Sequence, residues 1–425
     1  MKNHLVIREF GYIVQGKEAL SLSKERIQVP HSAFTYLRNL LDDPLQTQPY
    51  NQIFNLTVRQ GVEVLCVQNY VGVLQTPCGL QIEILPKIYH ANDHADSDEH
   101  TRKTLIKMLG ALQHAPFKIV HETSLMPSSM PLLEIFFGYF LSLVNHLVKK
   151  GIVRDYITYE DNQPFLKGKL LTTMQLKKNL IHKERFFVAY DEYETNRPEN
   201  RLLKSALLLV NKLSKSLQNQ KLCNELLFLF EDIPASKDYK TDFIQCKIER
   251  SLVHYQDSLA WCKILLQNQN PVSSIGALPS LSVLFPMERI FEDYVAAMLI
   301  KNHPDWKIKT QVSTNYLVSN HNESKIFRLK PDLMIDDGEQ VWVADTKWKL
   351  IDQTNRDKKY NIAESDMYQL FAYGHKYLKD KLQRRVILIY PRTDRFTKPL
   401  LPFVFDEDYQ LEVLPFDLDS DKMIF

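Results

Sequence analysis

RLKPDLMIDDGEQVWVADTKWKL, residues 328–350, is the stretch from which the rest of this 425-residue chain is read. Pro331 and Asp332 open an apolar run, Leu333 to Ile335. Asp336-Asp337-Gly338 predicts a hairpin turn, because Asp-Gly suits the positive-φ positions that a tight turn needs. A second run, Val341 to Ala344, leads into Asp345, Thr346 and Lys347. Side chains alternate along a strand, so Val341, Val343, Asp345 and Lys347 are expected on one face. An acid and a lysine leaving a buried hairpin opposite another acid are costly unless something pairs them. A divalent cation between the carboxylates, with a phosphate beside the lysine, would do so. Mg2+ takes oxygen ligands in octahedral geometry and keeps several waters, so two carboxylates hold it without filling its shell. The remaining positions suit a phosphate oxygen and a water of lowered pKa. A lysine within reach can balance charge in the transition state. The plainer alternative is a surface hairpin with solvated charges.

Working outward, VLFPMERIFEDYVAAMLIKN over Val283–Asn302 predicts an amphipathic helix, with Ile290, Tyr294 and Met298 at helical spacing. Glu292 lies within it and could turn toward the same cation. Downstream, SDMYQLFAYGHKYL over Ser365–Leu378 places Gln369 and Tyr373 four apart, on one helical face. Each feature alone is weak, since a helical glutamate or a Gln/Tyr pair is usually a solvated surface.

In this order, Glu292, Pro331-Asp332, Asp345-Thr346-Lys347 and Gln369-x-x-x-Tyr373 resemble the PD-(D/E)xK nuclease superfamily, in its branch with a Q-x-x-x-Y helix. The resemblance extends further. GIVRDY at Gly151–Tyr156, EDNQPFLKGK at Glu160–Lys169, RPENR at Arg197–Arg201 with Lys204, and IEILPK at Ile82–Lys87 resemble the McrC family. One departure is Glu288-Arg289, where the family often has an Asn. The resemblance implies a Mg2+-dependent DNA endonuclease subunit (Mn2+ able to substitute) of a type IV restriction system. Asp332 and Asp345 would be the main metal ligands, with Glu292 a third and the Thr346 backbone carbonyl a neutral ligand. Lys347 would position the water or steady transition-state charge, and Gln369 and Tyr373 would orient that lysine or touch the substrate backbone. The implied partners are a McrB-like AAA+ GTPase ring, which this chain would dock onto and stimulate, and double-stranded DNA carrying modified cytosine. Two other readings compete: a GTPase-activating adaptor with a silent nuclease site, and a stand-alone defence or repair nuclease.

The pattern along the chain divides it in three. Residues 1–90 read as a β-rich domain, expected to dock the partner, with one helix near Ala33–Leu41 and a hairpin punctuated by Pro77-Cys78-Gly79. ANDHADSDEH at Ala91–His100 lacks apolar periodicity and is expected to be a loop. Residues 101–270 read as mainly helical, with Gly151 as a helix C-cap and Asn270–Gly276 as the boundary. Residues 281–425 then read as an α/β, restriction-endonuclease-like core.

Composition sets outer bounds. Net charge is +2, so DNA contact must come from local patches. Lys347, Lys349, Arg356, Lys358 and Lys359 form one candidate. Lys376, Lys379, Lys381, Arg384 and Arg385 form another, for which a solvated surface is the simpler account. The 5 cysteines are odd in number and include no C-x-x-C, so reduced thiols and a cytoplasmic location are expected. No signal peptide is expected at MKNHLVIREFGYIV. The apolar segment at Pro131–Val148 is interrupted by Glu134, Asn145 and His146 and predicts a buried helix, with no membrane partner. No phosphate-binding G-x-x-x-x-G-K-[ST] loop occurs, so no nucleotide is expected to bind this chain.

Overall fold

The computed structural model describes residues 4–16, 25–42, 50–88, 94–112, 130–246, 250–267 and 280–425. Asn270–Gly276, the expected boundary, lies outside them. Contacts gather the described residues of 1–132 with those of 283–425 in one unit, and those of 133–273 with 280–282 in another.

Short alternating runs make the N-terminal part β-rich. Its strands are β1 (His4–Arg8), β2 (Tyr12–Gln15), β3 (Arg26–Val29), β4 (Phe54–Arg59), β5 (Val62–Val67), β6 (Tyr70–Gln75) and β7 (Gln81–Leu85). One sheet runs β3-β2-β5-β4, and in a second β7 lies between β1 and β6. Gly79 (φ +83°) turns β6 into β7, where its N–H donates to the Thr76 carbonyl. The helix α1 (His31–Asp42) supplies Ala33, Phe34, Leu37 and Leu40 at three-and-four spacing to the shared core. A short helix α2 (Tyr50–Ile53) precedes β4. The expected loop at 91–100 is corrected in part. From His94 the chain is already helix α3 (His94–Leu109), anchored by Leu105, Met108 and Leu109. Apolar periodicity begins only in its second half, so its polar first turns carry no helical signal.

The second unit begins with α4 (Leu132–Lys150), whose apolar stretch packs inside the protein: 67% of its most apolar window is buried. It ends at Gly151 (φ +105°). The middle is mainly helical, as expected, but it also carries a small sheet that the sequence did not announce. β8 (Asp155–Gln163), β9 (Lys169–Leu170) and β10 (Phe186–Glu194) form a three-stranded antiparallel sheet, with α5 (Thr172–Lys178) between the last two strands. β8 and the second half of β10 are rich in charged residues, which blurs alternation there. Helices α6 (Pro198–Leu213), α7 (Leu217–Leu229), α8 (Tyr239–Gln245) and α9 (Gln256–Gln267) complete the unit. RPENR is a structural knot at the start of α6. Pro198 takes the first helical turn. Asn200 donates to the Val153 and Thr195 carbonyls, and Arg201 pairs with buried Asp242.

The C-terminal part begins with β11 (Leu281–Pro286), which adds to the sheet beside β6. The approach is close: a Cβ on Gly72 would meet the Val283 carbonyl at 2.1 Å. Then follow α10 (Met287–Asn302), β12 (Lys307–Thr310), a two-stranded hairpin β13 (Tyr316–His321) and β14 (Ser324–Arg328), β15 (Leu333–Asp336), β16 (Val341–Thr346), α11 (Glu364–Tyr377), β17 (Arg384–Pro391), β18 (Phe403–Asp406), β19 (Tyr409–Asp417) and β20 (Lys422–Met423). The main sheet runs β12-β15-β16-β17-β19-β18, with β20 also on β19. Its β16-β17-β19 heart is parallel. Leu370 and Tyr373 of α11 cover the face carrying Val343, Val386, Leu388, Leu411 and Val413. Phe291 and Tyr294 of α10 pack on Phe416. The fold is therefore mixed α/β with a β-rich N-terminal region.

Candidate active site

The site grows from one register. Leu333 pairs with Ala344 across the antiparallel β15-β16 ladder. Continuing that register, Asp332 faces Asp345 on the same side of the sheet. Opposed like charges on neighbouring strands repel. The turn that sets the register is held by Gly338 (φ +94°) and by the Asp337 carboxylate, which accepts the Glu339 and Gln340 N–H groups.

The environment sharpens the repulsion. Asp345 is 1% exposed. Burial, then the Asp332 charge, push its carboxyl up to about 7, against the pull of Lys347. Asp332 is raised too, mainly by burial, although one of its oxygens accepts both the Thr346 N–H and hydroxyl at 2.8 Å. Glu292 comes from α10 and accepts from the Gln311 side-chain amide. Burial and the Asp332 charge raise it to about 7. Gln311 in turn donates its backbone N–H to the Asp332 carbonyl at 2.9 Å, so one residue links the two acids.

Two cations meet these acids: Arg289 lies 3.9 Å from Glu292, and Lys347 pairs with Asp345. Burial opposes its charge, but Asp345 and Asp332 outweigh burial and hold the ammonium above its ordinary value. A relay fixes its direction. Lys347 Nζ donates to Gln369 Oε1 at 3.1 Å, Gln369 Nε2 to the Tyr373 hydroxyl at 2.7 Å, and that hydroxyl to the Lys330 carbonyl at 3.0 Å. The structure thus brings Asp332, Asp345, Lys347, Gln369 and Tyr373 together, with Glu292 close enough to feel Asp332. Thr346 lies among them, its hydroxyl turned to Asp332.

These residues suit a partly hydrated, hard cation. The donors are all oxygens, and three carboxylates with raised pKa values share few cations. Among the described residues no three His, Cys, Asp or Glu side chains form a ready-made metal cage.

Several partners were not foreseen. Lys349 donates to both oxygens of buried Asp366, which also accepts the Tyr390 hydroxyl. Glu9 and Lys87 reach Trp348 from the N-terminal sheets. Only the density of polar residues around DTKWK hinted at this. Half of the ten residues in the expected basic patches are engaged in internal ion pairs. Besides Lys347 and Lys349, Lys359 pairs with Glu364, Arg384 with Asp408 and Arg385 with Glu412.

The fold and site define a class of mixed α/β proteins with opposed carboxylates and a tethered lysine. Residues 65–391 match the family described as McrBC 5-methylcytosine restriction system component, and the chain belongs to that family. No curated protein matches it. In fold it is similar to a chain of the refined half-complex from the tetradecameric assembly of Thermococcus gammatolerans McrB AAA+ hexamers with bound McrC. That likeness has a TM-score of 0.65 at 18% identity, covering 92% of this chain and 89% of that one. A chain of the T. gammatolerans McrBC complex is also similar, with a TM-score of 0.49 at 18% identity, covering 70% of this chain and 88% of that one.

Proposed function

We propose that this chain is the nuclease subunit of a modified-cytosine-dependent restriction system, cutting DNA with Mg2+ and docking onto a McrB-like AAA+ GTPase ring. The observation that carries the reading is the in-register pair Asp332 and Asp345 beside a lysine tethered by Gln369 and Tyr373. It supports reading 281–425 as a restriction-endonuclease-like core. Asp332 and Asp345 would hold the cation, with Glu292 and the Thr346 carbonyl at its edge. Mg2+ bound there supplies Lewis-acid polarisation of a phosphate oxygen and acidifies a water. Lys347, held on the Gln369-Tyr373 relay, orients that water and balances charge on the phosphate as it is attacked. The relay restricts the ammonium to one direction, which preorganises it and lowers the reorganisation the reaction needs. The partner follows from family membership and from the T. gammatolerans half-complex, in which McrC is bound to McrB AAA+ hexamers.

The deciding experiment is nuclease activity of this chain with and without its neighbouring GTPase, on methylated and unmethylated duplexes, with Mg2+ or EDTA. Cleavage that needs GTPase, methylcytosine and Mg2+ is expected. GTPase stimulation without cleavage on any substrate would instead identify an adaptor with a silent site.

A further inference from the structure

β16 ends at Thr346, so the sheet ladder stops one residue before the lysine. Beyond it Lys347 keeps two backbone ties, its N–H to the Ile389 carbonyl at 2.9 Å and its carbonyl accepting the Lys349 N–H at 3.0 Å. The next residue is held from another part of the chain altogether. Trp348, 1% exposed, donates its indole N–H to Glu9 at 2.9 Å, and its carbonyl accepts Lys87 Nζ at 2.9 Å. The same Glu9 oxygen accepts the Lys87 backbone N–H at 3.0 Å. Glu9 follows β1 and Lys87 follows β7, neighbouring parallel strands of the N-terminal sheet. Lys87 also sits 4.7 Å from the centre of the Phe10 ring, and Trp348 packs at a tilt against Phe291 of α10, their ring centres 5.2 Å apart. Lys349, one residue further on, is clamped by Asp366.

This bracket is an expensive way to gain stability. Glu9 is buried and Lys87 half-buried, so both charges lose solvation, and apolar residues of the same volume often hold a core as well or better. Burial pushes the Glu9 carboxyl up to about 7, a sign of that cost. What charged, directional bonds add over apolar packing is a fixed orientation. Here the orientation they fix is that of the backbone bearing Lys347.

We propose that Lys87 and Glu9 are positioning residues of the nuclease site. From the N-terminal sheet they grip the carbonyl and ring of Trp348, and so hold Lys347 in line with Asp345 and Gln369. The inference rests on the nuclease reading above. Neither residue reaches the reacting atoms; both act through the peptide that follows the lysine. A shift of about 1 Å in a reacting group can cost about 100-fold in rate, so a modest slackening of this peptide should be visible in turnover.

The test uses the full chain with its GTPase partner, Mg2+ and a 5-methylcytosine duplex. Lys87→Met keeps the aliphatic stem and removes the donor to Trp348. It is expected to lower kcat for cleavage about 10- to 100-fold, with KM for DNA, GTPase stimulation and melting temperature near wild type. Lys87→Arg, which restores a cationic donor, should recover most of the loss. If Lys87→Met melts early, Trp348→Phe probes the same bracket: it keeps a buried ring against Phe291 and removes the N–H that Glu9 holds, and the same selective fall in kcat is expected. A folded Lys87→Met with wild-type kcat overturns the proposal, as does a loss that GTPase stimulation and DNA binding share equally. Lys347→Ala is the companion control. If it cuts as well as wild type, the nuclease assignment itself has failed; if it is dead while Lys87→Met is fully active, only the bracket has failed.

Discussion

At the residue scale, the site gathers three carboxylates, Asp332, Asp345 and Glu292, each raised above its ordinary pKa. Asp345→Ala and Lys347→Ala are each expected to lower DNA cleavage by about 100-fold or more, while GTPase stimulation persists. Cleavage at the wild-type rate by either variant would refute the assignment. The raised acids also predict a pH dependence. Asp345 and Glu292 titrate near 7 in the fold, well above the ordinary carboxyl range. Between about pH 4 and 7 the folded chain therefore holds protons that the unfolded chain has shed. Stability in EDTA is then greatest at the acid end of this window and falls as pH rises through it. Melting temperature should drop between pH 5.5 and 8, and Asp345→Asn should flatten the drop. A wild-type profile that Asp345→Asn leaves unchanged would count against these shifts. On the proposed nuclease reading, cleavage is expected to run the opposite way, rising toward pH 8 as the carboxylates become free to bind metal.

At the scale of elements, α11 matters because it carries both Gln369 and Tyr373 and must lie close on the sheet. Gly374 permits this. A Cβ there would fall 2.1 Å from the Tyr409 hydroxyl oxygen. That hydroxyl donates to the Leu370 and Phe371 carbonyls at 2.6 and 2.9 Å, so β19 and α11 are joined where the helix has no side chain. Gly374→Ala should push the two apart, destabilising the protein by about 1–3 kcal/mol through overpacking. It should also reduce cleavage by moving the neighbouring Tyr373. Thermal melting and a cleavage assay on one preparation check both effects. Unchanged melting would mean that Tyr409 has room to move.

On the whole-molecule scale, the N-terminal sheets and the C-terminal sheet belong to one unit. Trp348 is buried against Glu9 and Lys87, and Lys107 of α3 pairs with Asp421 at 2.6 Å. A fragment of residues 281–425 should therefore be poorly soluble or melt well below the full chain, and adding residues 1–132 in trans should raise its melting temperature. A cooperative melt of the lone fragment at the full-chain temperature would show that the nuclease core stands by itself. The charge distribution makes a separate prediction. With net charge +2 and many basic residues already paired, the isolated chain should bind duplex DNA weakly, with steep salt dependence and no methyl preference. Titrating methylated and unmethylated duplexes at two salt concentrations measures this, and a clear methyl preference would move base recognition onto this chain.

The hairpin, the facing of Asp332 and Asp345, and the Gln369-Tyr373 spacing were legible in the chain itself. Strand alternation and helix periodicity are local rules, and these residues lie within 42 positions of one another. The helices at α1, α4, α6 and α7 were readable for the same reason. Strands β8 and β10 were not, because charged residues blur alternation in β8 and in the second half of β10. The first turns of α3 were hidden too, since they carry no apolar period. Only the tertiary structure could decide what lies across the sheet from the site. Glu9 and Lys87 are more than 250 residues from Trp348 in sequence, and no local pattern encodes a hydrogen bond over that separation. Gln311 against Glu292 and Asp366 against Lys349 are only 19 and 17 residues apart, but each pair joins a helix to a residue outside it, so no periodicity within one element marks it. Residue types and spacings determined which groups would meet at the site, whereas long-range packing determined what holds them there.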